Sequence, residues 1–269
     1  MNNCHFLFHR HACIRYQEKG EGFPLVLLHG FLEHLGIWES FSDHLSTHFK
    51  VISIDIMGHG WTRAARNIFT VEFSASLIND LLSYLHIDRC LMAGHSMGGY
   101  SLLAMEELYP EKVAGMCMFH SIPWGDPAER KQQRDQLIHL IREGKRSLLV
   151  QQHLSSSFAP ENMTRFAAEV ERAKNIAMES DSTELISAIE GMKIRKDRTF
   201  VVENTHKPIL WMIGEKDAYI SKEKLLEVAQ KTKNGKIVLL PHSGHMGFIE
   251  EKEKSAESFM WLYRQVLQG

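Results

Sequence analysis

The run Cys90-Leu91-Met92-Ala93-Gly94 passes into His95-Ser96-Met97-Gly98-Gly99 and then at once into Tyr100-Ser101-Leu102-Leu103-Ala104-Met105. A short apolar run closed by glycine predicts a strand over 89–94 buried on both faces. The residues after it predict a helix over 97–108, stopped by Tyr109-Pro110. Few architectures join a buried strand to a helix through so tight a turn, and nearly all of them alternate the two elements around a parallel sheet. Ser96 has two readings at this joint. It can cap the helix N-terminus, or it can be pushed out on a strained backbone for chemistry, in which case its neighbours two residues away on each side must be small. Gly94 and Gly98 meet that demand, and Gly99 lets the helix pack close.

The rest of the chain keeps the same rhythm on both sides of one long interruption. Strands are predicted at 5–8 and 12–16 (a hairpin around 9–11), 25–29, 51–55, 113–119, 209–214 and 237–240. Helices are predicted at 36–47, 70–85, 222–231 and 247–266. Between Pro123 and Asn204 the β-branched runs disappear and Glu, Arg, Lys, Gln and Leu dominate, which predicts helices at 128–142, 146–153, 161–178 and 183–192. We therefore expect an α/β fold with a mostly parallel, eight-stranded, doubly wound sheet. Residues 1–122 and 205–269 form its core, and a helical cap, residues 123–204, is inserted after strand 6.

Composition narrows the function classes. The 269 residues are 44% hydrophobic and 24% charged with a formal net charge of -2, and no basic block or stripe marks a nucleic-acid or anionic-membrane surface. No apolar run is long enough to span a bilayer, and the histidines and arginines in the first sixteen residues break any secretory h-region, so a cytoplasmic location is expected. The four cysteines form no CxxC pair and read as buried thiols. His5, His9 and His11 lack any zinc-motif context, so no metal site is assigned. A small molecule is the expected partner of a chain working as a monomer or homodimer.

In open α/β sheets chemistry gathers at the carboxyl ends of the strands. There the chain places His29-Gly30-Phe31, Asp55, Ser96, His120-Ser121, Gly214-Glu215-Lys216-Asp217 and Pro241-His242-Ser243-Gly244-His245. A serine hydroxyl needs a general base. His245, between Gly244 and Gly247 on what reads as a mobile exposed loop, is preferred to His242. The base needs an orienting acid. Asp217 is preferred, with Glu215 and Asp126 as rivals, while Asp55 and His59 read as turn-holding residues and His29 as structural. An oxyanion needs two donors, and position assigns the backbone N–H groups of Met97, at a helix start, and Phe31. His95 reads as a packed spacer.

Taken together, HGF (29–31), DIMGHG (55–60), GHSMGG (94–99), GEKD (214–217) and SGH (243–245) resemble the α/β-hydrolase fold superfamily, in the superfamily's order and from about Leu25 onward. The single-glycine HGF is similar to the small-molecule branch of carboxylesterases, lactonases, haloperoxidase-like enzymes and C–C bond hydrolases, while GHSMGG also occurs in monoacylglycerol lipases. The resemblance implies a Ser96–His245–Asp217 triad acting through an acyl-enzyme on an ester-type bond, without metal or organic cofactor. C–C cleavage, thioester hydrolysis and acyl transfer stand as alternatives on the same residues, and a single-turnover small-molecule receptor as a non-enzymatic one. Ser96 stands where epoxide hydrolases and dehalogenases carry Asp. Specificity is expected from the cap, with Trp124, Phe158, Met163 and Phe166 as substrate-binding candidates beside Phe31, although helices also need such residues for their own apolar faces. The mixed charge of the cap points to a small, largely apolar substrate.

Overall fold

The structure is a computed structural model and describes residues 4–9 and 11–268, so Arg10, inside the expected first hairpin turn, lies outside the described residues. Antiparallel β1 (Cys4–His9) and β2 (Ala12–Lys19) lead into parallel strands, β3 (Pro24–Leu28), β4 (Lys50–Ile54), β6 (Cys90–His95), β7 (Val113–Phe119), β8 (Ile209–Gly214) and β9 (Gly235–Leu240). The eight expected strands are joined by a two-residue ninth, β5 (Arg63–Ala64), which pairs with β2. The order β1-β2-β4-β3-β6-β7-β8-β9 matters for function. From β3 the chain moves outward to β4, whereas from β6 it moves to β7 on the other side. The strand order thus reverses at the β3–β6 pair, and a crevice must open above the carboxyl ends of those two strands.

Helices cover the sheet in two layers. α1 (Glu39–Leu45) packs with α11 (Lys252–Gln268), and α2 (Val71–Tyr84) packs with α3 (Met97–Leu108). Buried strands need apolar cover on both faces. Trp38, Phe41, Phe119, Phe248 and Phe259 supply part of it as a fully buried aromatic cluster, with the Trp38 and Phe248 ring centres 4.3 Å apart. Thr70 caps α2 by accepting the Phe73 N–H at 3.1 Å. No described helix is long and apolar enough to cross a membrane.

Between β7 and β8 lie five helices: α4 (Ala128–Arg142), α5 (Arg146–Ser157), α6 (Ala167–Glu179), α7 (Ser182–Ile194) and α8 (Thr199–Asn204). α4 packs on α5 and α7, α5 on α6, and α8 on α3. Two expected helices are broken, for related reasons. The predicted 161–178 helix starts only at Ala167, because Asn162 turns its amide onto the carbonyl of His242 and the carboxylate of Glu250. The predicted closing helix splits into α10 (Gly247–Glu250) and α11, and the carboxylate of the junction residue Glu251 accepts from the His242 N–H and the Ser243 hydroxyl. In both places the chain gives up helix to hold the loop after β9. The last of the eleven described helices to be named, α9 (Lys222–Ala229), packs on β8 and β9 beside that loop.

Candidate active site

Ser96 stands between β6 and α3 at φ 48°, ψ −114°, outside the regions open to an L-residue without strain. Its side chain makes no capping bond, so the helix-cap reading does not hold. Such a backbone costs on the order of 1–3 kcal/mol and persists only where the surroundings over-determine it. Here they do. A Cβ on Gly94 would fall 2.5 Å from the Gly99 Cα, and one on Gly98 would strike the Leu28 carbonyl oxygen. The Ser96 N–H donates to the Phe119 carbonyl at 3.0 Å, and the Ser121 hydroxyl donates to the Ser96 carbonyl at 2.6 Å.

His245 and Asp217, 28 residues apart in sequence, meet with Nδ1 2.7 Å from Oδ2. That bond leaves the imidazole Nε2 as the free ring position. Asp217 is fixed by its own turn, its Oδ1 accepting the Tyr219 N–H at 2.8 Å and the Ile220 N–H at 3.2 Å. Burial disfavours the charged carboxylate, but His245 and His120 together outweigh it and hold Asp217 well below the usual carboxylate range. His120, placed at a strand end by the sequence but given no role there, has Nδ1 3.3 Å from the same Oδ2 and itself sits at φ 45°. Burial pushes its imidazole down to about 4, so it is neutral beside Asp217. Ser96 and His245 line one cavity.

The loop carrying His245 is buried and hydrogen-bonded rather than exposed as its glycines suggested. His245 is 4% exposed and donates its backbone N–H to the Ser157 carbonyl at 2.6 Å, while Gly244 donates to Glu250 at 2.8 Å. Gly244 serves close approach instead, since a Cβ there would lie 2.7 Å from the Ala159 nitrogen. The rivals are engaged elsewhere. Glu215 lies near Lys222, and Asp126 is clasped by Arg134 and Arg195. Asp55 accepts the Leu35 and Trp61 N–H groups, and His29 is locked by the Ile56 N–H and the Gly30 carbonyl. Both are structural, as expected.

Phe31, in the loop after β3, and Met97, at the start of α3, both line the crevice. Among the described residues neither N–H has an acceptor. Next to Phe31, the Gly30 N–H donates to Glu33 at 2.6 Å, and Glu33 bonds His95 at 3.0 Å. The only trace of Glu33 in the sequence was an acid inside an apolar stretch.

The crevice is a cavity of about 560 Å³ lined by Phe31, Ser96, Met97 and His245 with residues of the inserted helices. Of the four substrate-binding candidates, Trp124 lines it. Phe158, Met163 and Phe166 do not: Phe158 is buried in the core, and Met163 and Phe166 pack against that core. Their apolar character serves the helices' own packing. In their place the structure brings in His153 and Tyr219, whose rings lie 4.8 Å apart, with Phe31 against His153. His120, Asp217 and His245 also have potential ligand atoms within 4.8 Å of one another, close enough for a metal ion. An ion there would have to displace the bond between His245 Nδ1 and Asp217.

A family model for the alpha/beta hydrolase fold matches residues 24–252. The chain is 26% identical to the dihydrolipoyllysine-residue acetyltransferase component of the acetoin cleaving system of Pseudomonas putida, over 94% of this chain and 67% of that one. It is 24% identical to (E)-2-((N-methylformamido)methylene)succinate hydrolase of Acinetobacter baylyi, over 92% and 93% of the two chains. Among solved structures, a thermophilic esterase from Thermogutta terrifontis superimposes with a TM-score of 0.90 at 22% identity, covering 95% of this chain and 94% of that one. The enol-lactonase from Burkholderia xenovorans gives 0.88 at 20% identity, covering 96% and 99%.

Proposed function

This chain belongs to the alpha/beta hydrolase fold family, and on that premise we propose that it is a serine hydrolase that cleaves an ester-type bond of a small substrate. The observation that carries the reading is the 2.7 Å bond between His245 and Asp217 in a cavity onto which Ser96 opens from a strained turn. Ser96 Oγ attacks the carbonyl carbon as His245 Nε2 takes its proton. Asp217, held ionised, stabilises the imidazolium and fixes the tautomer. The negative charge that develops on the carbonyl oxygen is met by the Phe31 and Met97 N–H groups and by the N-terminus of α3. The imidazolium then protonates the leaving group, and the same nitrogen later activates the water that frees the acyl group. Residues 123–204 act as the cap, supplying the upper wall of the cavity.

The test is replacement of Ser96. Ser96→Ala should lower turnover of p-nitrophenyl acyl esters by at least about 10⁴-fold with the fold intact. A fluorophosphonate should label wild type at Ser96 and leave Ser96→Ala unlabelled. Full activity or undiminished labelling in that variant would sink the mechanism, and a single burst in wild type would favour a receptor.

A further inference from the structure

The cavity above Ser96 is unbalanced in charge. Arg130, Arg134 and Lys224 line it, while Asp126 alone among the described lining residues outside the triad contributes a carboxylate. Asp126 is spent. It is bonded by Arg134 and lies 2.7 Å from Arg195 Nη1, so one buried negative charge answers two positive ones. Burial opposes ionisation of Asp126, yet the two guanidiniums hold it below the usual carboxylate range.

Arg130 and Lys224 have no such answer. The Arg130 guanidinium meets a neutral partner, the Gln133 side-chain oxygen at 2.9 Å, and forms no ion pair with any described residue. Most of its five donors are left for a ligand or water. Its charge reaches inward. Burial first, then His245, and also Arg130 push the His153 imidazole down to about 4. The Lys224 ammonium likewise has no acid partner among the described residues. Its neighbour Glu223 accepts from the Ser221 hydroxyl at 2.9 Å. Both cations stand in the first turn of a helix, α4 and α9, where positive charge opposes the helix dipole. Helix stability therefore does not select them. The mixed charge of the cap in sequence hid this arrangement, because the acids face elsewhere.

Burial gives the cavity a direction. Its buried lining is apolar at Phe31, Met97 and Met192, and its exposed lining carries Gln133, Gln136 and Lys224. A chamber with a greasy floor and a cationic rim fits a chain that is apolar near the reacting carbonyl and anionic at its far end. Building on the serine-hydrolase reading, we propose that the substrate is an ester bearing a free carboxylate remote from the scissile carbonyl, and that Arg130 and Lys224 are its specificity-determining residues.

Two length-matched esters test this, mono-p-nitrophenyl adipate and p-nitrophenyl hexanoate. Wild type should show the higher kcat/KM on the adipate ester, with the preference shrinking as salt is raised. Arg130→Gln or Lys224→Gln should reduce the adipate-to-hexanoate ratio by about tenfold to a hundredfold, the range set by one charge-assisted hydrogen bond. A wild-type preference for the hexanoate ester, or a ratio unmoved in both variants, overturns the proposal. Calorimetric titration of monomethyl adipate into Ser96→Ala separates this from the chemistry. Saturable binding that either Gln change weakens supports the carboxylate seat even if neither ester is turned over, a result that would fail the hydrolase reading alone. Hydrolysis of both esters with an unmoved ratio fails the seat alone, and absence of both turnover and binding fails both.

Discussion

Glu33 and His95 form a buried ion pair in which both imidazole nitrogens are committed, Nδ1 to the Glu33 carboxylate at 3.0 Å and Nε2 to the His245 carbonyl at 2.9 Å. With Glu33 ionised neither partner can donate, so both ring nitrogens donate and the ring is an imidazolium. Burial alone would discharge it, but Glu33 holds its pKa raised. Burial likewise disfavours the charged Glu33, yet His95 and the Gly30 N–H bring its carboxyl down to about 2. One pair thereby ties the Gly30–Phe31 loop, the Ser96 turn and the His245 loop to one another. The three groups the proposed chemistry needs are set in place by a residue pair that touches no substrate.

Glu33→Gln keeps the shape and removes the charge, leaving a cation buried without its partner. It should cost about 3–5 kcal/mol, read as a lower midpoint in urea, and reduce kcat by displacing the loops. The pH dependence has a definite sign. Glu33, with its pKa depressed, contributes stability above about 4.5 that is lost as pH falls toward 2. His95, with its pKa raised, contributes stability below about 6.5 that is lost as pH climbs through its folded value. The difference between wild type and variant should therefore be largest between about pH 4.5 and 6.5. A difference that is flat in pH, or below about 0.5 kcal/mol, would show that the pair is not charged.

Acid should destabilise the whole molecule through a different set of histidines. His29, His59 and His120 are fully buried, and burial lowers them to about 3, 4 and 4. Below pH 6.5 the unfolded chain binds protons that the folded one refuses, so each of the three costs up to about 1.4 kcal/mol per pH unit until its own folded pKa is reached. Urea midpoints should fall steeply from pH 6 to 4. His29→Asn, compared with wild type over that interval, should flatten the slope while lowering stability at neutral pH, because the Ile56 N–H loses its acceptor at 2.8 Å. An unchanged slope would remove His29 from the account.

The fold was legible because buried parallel strands write themselves as apolar runs, and β3, β4, β6, β7 and β8 each end at or just before Gly, Asp or His where the backbone turns. The convergence of Ser96, Asp217 and His245 was legible for the same reason, since strand ends are countable in sequence. What could not be read were side chains whose roles depend on contacts across the chain. Glu33 looks like any acid until His95, 62 residues on, is found against it. Phe158, Met163 and Phe166 were favoured as pocket residues on apolar character, which the packing of α5 and α6 requires equally. The split of the last helix at Glu251 was hidden because its cause lies in hydrogen bonds to the loop before it, which helical periodicity does not record.

Glu250 carries the last of these cross-chain roles. Although 6% exposed, it accepts three hydrogen bonds, Oε1 from the Ala159 N–H at 2.7 Å and the Asn162 amide at 2.8 Å, and Oε2 from the Gly244 N–H at 2.8 Å. It thus fastens the end of α5 and the turn after it to the residue preceding His245. Burial outweighs these donors and raises its pKa, so the carboxylate depends on all of them. Glu250→Gln must turn an NH₂ group toward at least one donor, leaving a buried N–H unpaired at a cost of about 1–3 kcal/mol. Because the loosened residue adjoins His245, kcat should fall several-fold with KM little changed. Asn162→Ala removes one donor but keeps the Gly244 bond, so it should destabilise with a smaller effect on kcat. If the two variants lowered kcat equally, the strap to Gly244 would not be what positions the histidine.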